Sequence, residues 1–288
     1  MKILHVSFSS KGGPAIGIKR LHNALKKKKI KSELFFFLDN LDQSQFSLKK
    51  LKWKIIFFTK RLIVKFLTVR RNKESLSLNL FDNLNLNSIV EKKKIDVVHL
   101  HWVGNEMISI KEIASIRKPV IWTFHDMWPF AGAEHFCYDN RYLNMYQSTS
   151  RKKNEFGLDL DGIVWREKLK FFSKKKFYIT VPSKWMLKNI IKSKLFKNSE
   201  KFFLPNIIDL SKWKLKNNKK SNKKKIELLF VATSSVNYRK GFGYLFDAID
   251  KYLDKNKYSL LVIGEKPKKF DELKIEKRFL PTINSETK

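Results

Sequence analysis

The chain has 288 residues, 43% of them hydrophobic, with 24 Phe and a formal net charge of +34. That apolar content can build cores and argues against a disordered chain, while a single Cys excludes an internal disulfide framework and any multi-Cys zinc site. The charge attracts polyanions, but Lys outnumbers Arg roughly five to one, a bias of composition rather than a set of bidentate phosphate contacts, so no specific nucleic acid is expected.

Strand-like and helix-like runs alternate, which is the pattern of an α/β fold on a parallel sheet. The first strand, residues 3–8, enters the loop SSKGG and then a helical pattern with Ile16, Leu21 and Leu25. Its apolar core is too short for a signal peptide. Residues 33–38, ELFFFL, form a second strand. Residues 48–71 place Leu51, Ile55, Phe58, Leu62 and Phe66 at helical spacing among many Lys and Arg. Two readings stay open for them: a basic amphipathic segment at an anionic membrane surface, or a helix packed on the sheet with a solvated Lys face. No uncharged apolar stretch has the length of a spanning helix, so the expected location is cytoplasmic, soluble or peripheral on the inner membrane face.

Residues 96–101, DVVHLH, make a strand ending in His-Trp. In VIWTFHDMWPFAGAEH a further strand, residues 120–124, stops at His125-Asp126. Residues 139–165 read as a polar, loop-like insertion. Short strands follow at 178–181, closed by Pro182-Ser183, and at 202–204, before Pro205-Asn206. The run KLKNNKKSNKKK lies in a basic linker. A new unit then begins, with strands at 227–232 and 259–264, a helix at 241–253 and the start of another strand at 278–281. The expected organisation is an N-terminal Rossmann-like domain over 1–208, a linker over 209–225 and an incomplete C-terminal domain over 226–288.

In an open α/β sheet, ligands bind at the carboxyl ends of the strands, where His125 and Asp126 fall. The alternative is a core His beside a capping Asp. Gly12 and Gly13 either let backbone N–H groups approach a polar ligand or make a tight strand-to-helix turn. They do not form GxGxxG, so no dinucleotide is implied. His99 and His101 share one strand face, but spacing places no third ligand, and no metal is expected. His101 and Trp102 read as cleft lining, His99 as a core His.

Several stretches then coincide in order: the Gly-Gly loop, DVVHLHW before WTFHDMWPFAG, VPSKWMLKNIIKSKLF, LPNIIDLSKW and FVATSSVNYRKGFGYLFDAI. Together they resemble a family 4 glycosyltransferase of the bacterial polysaccharide-assembly kind, over nearly the whole chain. The resemblance implies a GT-B fold of two facing Rossmann-like domains. The first would hold the acceptor and the second a nucleotide sugar, with metal-free, retaining transfer in the cleft between them. It implies that His125 meets sugar hydroxyls and the charge developing at the anomeric carbon, a task suited to a neutral imidazole. Asp126 would orient that ring or bond the acceptor hydroxyl. Arg239, Lys240 and Glu265 would bind the donor, the two cations steadying the departing diphosphate; the alternative is solvated surface charge.

The sequence departs from the family in three places. Ser234-Ser235 stands where relatives carry a basic residue, only Cys137 remains of a Cys group, and the acidic pair that grips the donor lies beyond residue 288. The chain therefore reads as truncated, with impaired transfer expected from it alone, or as half of a bipartite enzyme. The partners implied are a nucleotide sugar and a polysaccharide or lipid-linked glycan acceptor. A non-catalytic, basic membrane- or polyanion-binding remnant is the rival reading.

Overall fold

The structure, a computed structural model, describes residues 1–42, 48–69, 75–208, 210, 225–233 and 238–282. The chain divides into two units, Met1–Trp213 and Lys214–Lys288. Of the expected linker over 209–225, only Leu210 and Lys225 are described, and Ser234-Ser235 also lies outside the described residues.

In the first unit the elements run β1 (Lys2–Ser7), α1 (Gly12–Lys27), β2 (Lys31–Phe36), α2 (Phe37–Asp42), α3 (Leu48–Leu67), β3 (Thr68–Val69), α4 (Leu86–Lys92) and β4 (Val97–Leu100). There follow α5 (Ile110–Ser115), β5 (Val120–Thr123), β6 (Phe156–Gly157), α6 (Leu160–Phe172), β7 (Tyr178–Val181), α7 (Lys184–Ile191) and β8 (Glu200–Phe203). Six strands make a parallel sheet in the order β2-β1-β4-β5-β7-β8. From β1 the chain steps to β2 on one side and later returns to β4 on the other. The order thus reverses between β1 and β4, and a crevice opens at the carboxyl ends of strands where that happens. The central strands are largely apolar, as in a sheet covered on both faces: Leu4, Val6, Val98, Leu100 and Trp122 are fully buried. His5 and His99, register partners on β1 and β4, interrupt that pattern.

Local chemistry ends and starts the helices. Ser109 and Glu112 form a capping box on α5. Ser183, of the Pro-Ser-Lys-Trp block, accepts from the Met186 N–H at 3.2 Å and caps α7. Asp159 caps α6 through the Gly162 N–H and also holds the Arg141 guanidinium with both oxygens, at 3.1 and 2.6 Å.

Three expectations change here. The strand read over 33–38 stops at Phe36, and Phe37 starts α2 while staying in the core. An all-apolar run carries no period to tell a strand from a buried helix. The stretch 139–165 is not a loose insertion: α6 begins at Leu160, and Arg141, Tyr142 and Tyr146 are buried, because the polar groups pair inside the protein.

The third change concerns α3. It does not pack its apolar stripe on the sheet. Leu51, Ile55, Phe58, Leu62 and Phe66 are exposed, between 39% and 69%. The inward face carries Trp53, whose indole N–H donates to Asn105 O at 2.9 Å, and Lys60, whose ammonium donates to Leu76 O at 3.0 Å and lies 4.2 Å over the Phe57 ring.

The second unit comprises β9 (Ile226–Ala232), α8 (Phe242–Tyr252), β10 (Tyr258–Gly264) and β11 (Glu276–Pro281), a parallel sheet in the order β11-β10-β9. One face is packed: Phe242 and Ile249 of α8 join Leu260 and Val262 in its core. On β9, Leu229 and Val231 remain exposed. Gly264 has a φ of +120°, and a Cβ there would run into the Ala232 carbonyl, so only Gly closes this end of the sheet.

Candidate active site

The carboxyl edge of the first sheet gathers the loops after β1, β4 and β5. His101 and Trp102 follow β4, and His125 and Asp126 follow β5 one residue after Phe124. These four side chains come together with His135 and Trp128 around a small cleft of about 10 Å³, which Val103, Gly104 and Pro129 complete. Gly12 and Gly13 open α1 on the same edge. Gly12 has a φ of +86°, which favours Gly, whereas nothing crowds either residue. The first turn of α1 has neither a side-chain cap nor an acidic residue, and Gly12 and Gly13 are exposed there.

Asp126 does not orient His125. Its Oδ2 accepts from the Trp102 indole N–H at 2.6 Å and pairs with His135 Nδ1 at 2.6 Å, while Oδ1 accepts from the Trp128 N–H at 3.1 Å. Trp102 also stacks on the His135 ring, 5.2 Å between centroids. With its oxygens so occupied and its side chain buried, Asp126 braces the cleft wall. His135 Nε2 in turn lies 2.8 Å from Ser77 Oγ. Asp126, His135 and Ser77 are the residue types of a hydrolytic triad, but Ser77 is wholly buried and its Oγ also accepts from the Asn105 N–H, so the three act as an internal brace.

The turn that carries Asp126 is held from α6. The Lys168 ammonium, fully buried, donates to the carbonyls of Trp128, Ala131 and Gly132 and lies 3.9 Å over the Trp128 ring. Asp161 accepts from the Ala133 and Glu134 N–H groups, and the Tyr146 hydroxyl donates to Glu134. Gly132 lies against the Asp161 backbone with no room for a Cβ.

His125 belongs to a different set. His5 Nδ1 lies 3.2 Å from His101 Nε2, and His101 Nδ1 lies 3.2 Å from His125 Nε2. His99 stacks on His101 at 4.1 Å, and its Nε2 lies 2.8 Å from Thr123 Oγ1. Spacing along one strand did not reveal His5, which the β1–β4 register brings in from a separate strand. His5, His99 and His101 thus form a buried group with ring nitrogens within 4.8 Å of one another. His5 Nδ1, His99 Nε2 and both nitrogens of His101 meet one another, His125 or Thr123, the arrangement of a hydrogen-bonded row.

These imidazoles are neutral. Burial lowers His125 to about 4, against a smaller opposing pull from the Asp126 carboxylate, and burial with His22 nearby lowers His5 to about 4. Burial first, then neighbouring imidazoles, push His99 and His101 well below the ordinary 6.5. Folded values below the unfolded one mean that the unfolded chain binds more protons under pH 6.5. Stability is therefore present above pH 6.5 and is lost as the pH falls toward 4, by up to about 1.4 kcal/mol per pH unit for each imidazole. Glu134, raised by burial and by Asp161, works in the opposite sense. Denaturant titrations at pH 6.5 and pH 5 are expected to show a net loss of at least about 2 kcal/mol. Equal stabilities at the two values would contradict a neutral row.

The model of Glycosyltransferase Family 4 matches residues 11–212, more than two thirds of the chain and nearly all of the first unit. The chain belongs to glycosyltransferase family 4. No curated protein matches it. Among solved structures, Anabaena HepE in complex with UDP and glucose aligns at 15% identity and a TM-score of 0.47, over 99% of this chain and 70% of its own. A glycosyltransferase from Rickettsia africae aligns at 14% and 0.49, over 98% and 68%. MurG from Acinetobacter baumannii gives 10% and 0.34, over 99% and 68%.

The residues expected on the donor side, Arg239, Lys240 and Glu265, lie in the second unit, at the carboxyl edge of its own sheet. Arg239 and Lys240 form a short 3-10 turn before Gly241, whose φ of +78° admits the entry into α8. Glu265 directly follows β10, its N–H donating to Ala232 O at 3.1 Å. All three are exposed. Sequence spacing did not reveal His5, Ser77, Lys168 or His135: the first three reach the site across large separations in the chain, and His135 returns to Asp126 from nine residues on.

Proposed function

We propose that this chain transfers a sugar from a nucleotide sugar to a polysaccharide or lipid-linked glycan acceptor at the anionic inner face of a membrane. The observation that carries the reading is the half-buried, neutral His125 at the edge where the strand order reverses, in a chain whose family transfers sugars. The acceptor hydroxyl attacks the anomeric carbon and the nucleoside diphosphate departs. His125 contacts the sugar as a neutral group, and the N–H groups of α1 at Gly12-Gly13 receive a polar part of the substrate. Trp102, fixed by Asp126, forms a wall against the sugar. Arg239 and Lys240 take the growing diphosphate charge, with no metal required, and Glu265 contacts the donor beside them. His125→Ala is expected to lower transfer at least about 100-fold with little change in thermal stability, because the ring is part-exposed at the cleft. Undiminished turnover of that variant would remove the proposal.

Attachment to the membrane rests on α3. Its exposed apolar stripe is flanked by Lys49, Lys52, Lys54, Arg61 and Lys65, and Phe156 of β6 is exposed close by, where β3 continues α3. Such a helix lies in the interface with its apolar face among the acyl chains and its cations at anionic headgroups. No helix among the described residues is long and apolar enough to cross a membrane. Vesicle flotation is expected to recover the protein with phosphatidylglycerol vesicles, at least about tenfold better than with phosphatidylcholine. The double variant Phe58→Glu, Leu62→Glu should stay in the soluble fraction. Equal recovery of that variant would place the contact elsewhere.

A further inference from the structure

The three imidazoles His5, His101 and His125 are joined end to end, and the order in which their protons must sit follows from the ends of the row. Each junction is a nitrogen–nitrogen contact of 3.2 Å, one nitrogen donating and the other accepting. A neutral imidazole has one N–H and one bare nitrogen, so fixing one ring fixes the next. Only two arrangements exist. In one, protons sit on every Nδ1; in the other, on every Nε2.

The buried end decides between them. His5 Nε2 is buried and has no hydrogen-bond partner among the described residues. A buried donor left without an acceptor is rarer in folded proteins than a buried acceptor left without a donor. The bare lone pair therefore belongs on His5 Nε2, and the His5 proton on Nδ1, donating to His101 Nε2. His101 then carries its proton on Nδ1 and donates to His125 Nε2. His99, stacked on His101 and tied to Thr123, keeps the His101 ring in that plane.

We propose that His5, through His101, fixes His125 as its Nδ1–H form, so that the nitrogen outside the row is a hydrogen-bond donor and never an acceptor. His5 and His101 are positioning residues. The inference deepens the reading of His125 given above and rests on it for its role in transfer: His125 donates to a sugar or acceptor oxygen and does not remove the proton of the acceptor hydroxyl. Its ligand preference follows. An oxygen that can accept satisfies the site, whereas a deoxy sugar lacking it leaves the buried donor row unanswered.

The test needs no substrate. The full chain labelled with 15N-histidine is examined by long-range proton–nitrogen NMR at pH 7.5, where the nitrogen shifts distinguish N–H from bare ring nitrogens. The expected spectrum shows Nδ1–H for His5, His101 and His125. In His5→Met, whose thioether sulfur can only accept, His101 is expected to turn its proton to Nε2 and the His125 signals to move toward Nε2–H. His5→Asn, whose amide nitrogen can stand where Nδ1 stood, should keep Nδ1–H. An Nε2–H form of His125 in the unaltered chain overturns the proposal, as do metal-coordinated shifts at these rings. So does a His5→Met spectrum identical at His125, and should that variant not fold, the unaltered chain and His5→Asn still decide. Failure of sugar-nucleotide binding would instead count against the function and leave this spectrum untouched.

Discussion

Asp126→Ala is expected to destabilise the first unit by about 3–5 kcal/mol, the range for removing one partner from a buried, charged hydrogen-bonded set. Three donors converge on this carboxylate: the Trp102 indole, His135 and the Trp128 backbone N–H. The substitution leaves all of them without an acceptor in a region from which water is largely excluded. Trp102 and His135, stacked on each other, then lose the anchor that sets their planes. Asp126→Asn keeps one carbonyl oxygen but presents an NH2 group in place of the second acceptor. Turned either way, it opposes a donor, so an intermediate loss of about 1–2 kcal/mol is expected. Denaturant unfolding followed by tryptophan fluorescence reads both. A loss under about 1 kcal/mol for Asp126→Ala would mean that the wall of the cleft is held by packing alone.

Lys168→Ala is expected to have an effect of similar size, about 3–5 kcal/mol, for a different reason. Burial pulls this ammonium downward in pKa, yet three carbonyls converge on it, and only the charged form offers three donors. Among the described residues no other donor meets the carbonyls of Trp128, Ala131 and Gly132. Ala leaves those acceptors unpaired and also opens a cavity. Lys168→Met fills the cavity without supplying donors, and should recover about 1–2 kcal/mol of the loss. If Met restores full stability, the hydrogen bonds contribute nothing net. If Met and Ala are equal, the packing contributes nothing.

Much of the fold was legible in the order of apolar runs. The strands at β1, β4, β5 and β7 stand close to where hydrophobic stretches and their Pro, Gly and Ser punctuation place them, and the His-Asp pair does end a strand. What could not be read is partnership. Asp126 bonds His135 nine residues on and Trp102 in the loop after β4, and His5 meets His101 across 96 positions. Spacing within one segment carries no information about parallel register, which is set by burial on both faces of the sheet. The facing of α3 was undecided for a related reason. A helix with apolar residues all around offers two stripes, and Trp53 and Lys60 took the inner one through hydrogen bonds to Asn105 and Leu76. Residues 139–165 look polar because their charges are satisfied internally, Arg141 by Asp159 and Lys168 by backbone carbonyls.

The most direct test of the account is calorimetric titration of the chain with a panel of sugar nucleotides at matched salt. Ionic strength must be fixed because a chain of charge +34 draws any polyphosphate toward it. The account predicts saturable binding that discriminates between sugars bearing the same nucleotide. Lys240→Ala should weaken it for every sugar, and His125→Ala should erase the discrimination while leaving the nucleotide contribution. Heats that follow only phosphate charge and salt, and that are indifferent to both substitutions, would contradict it.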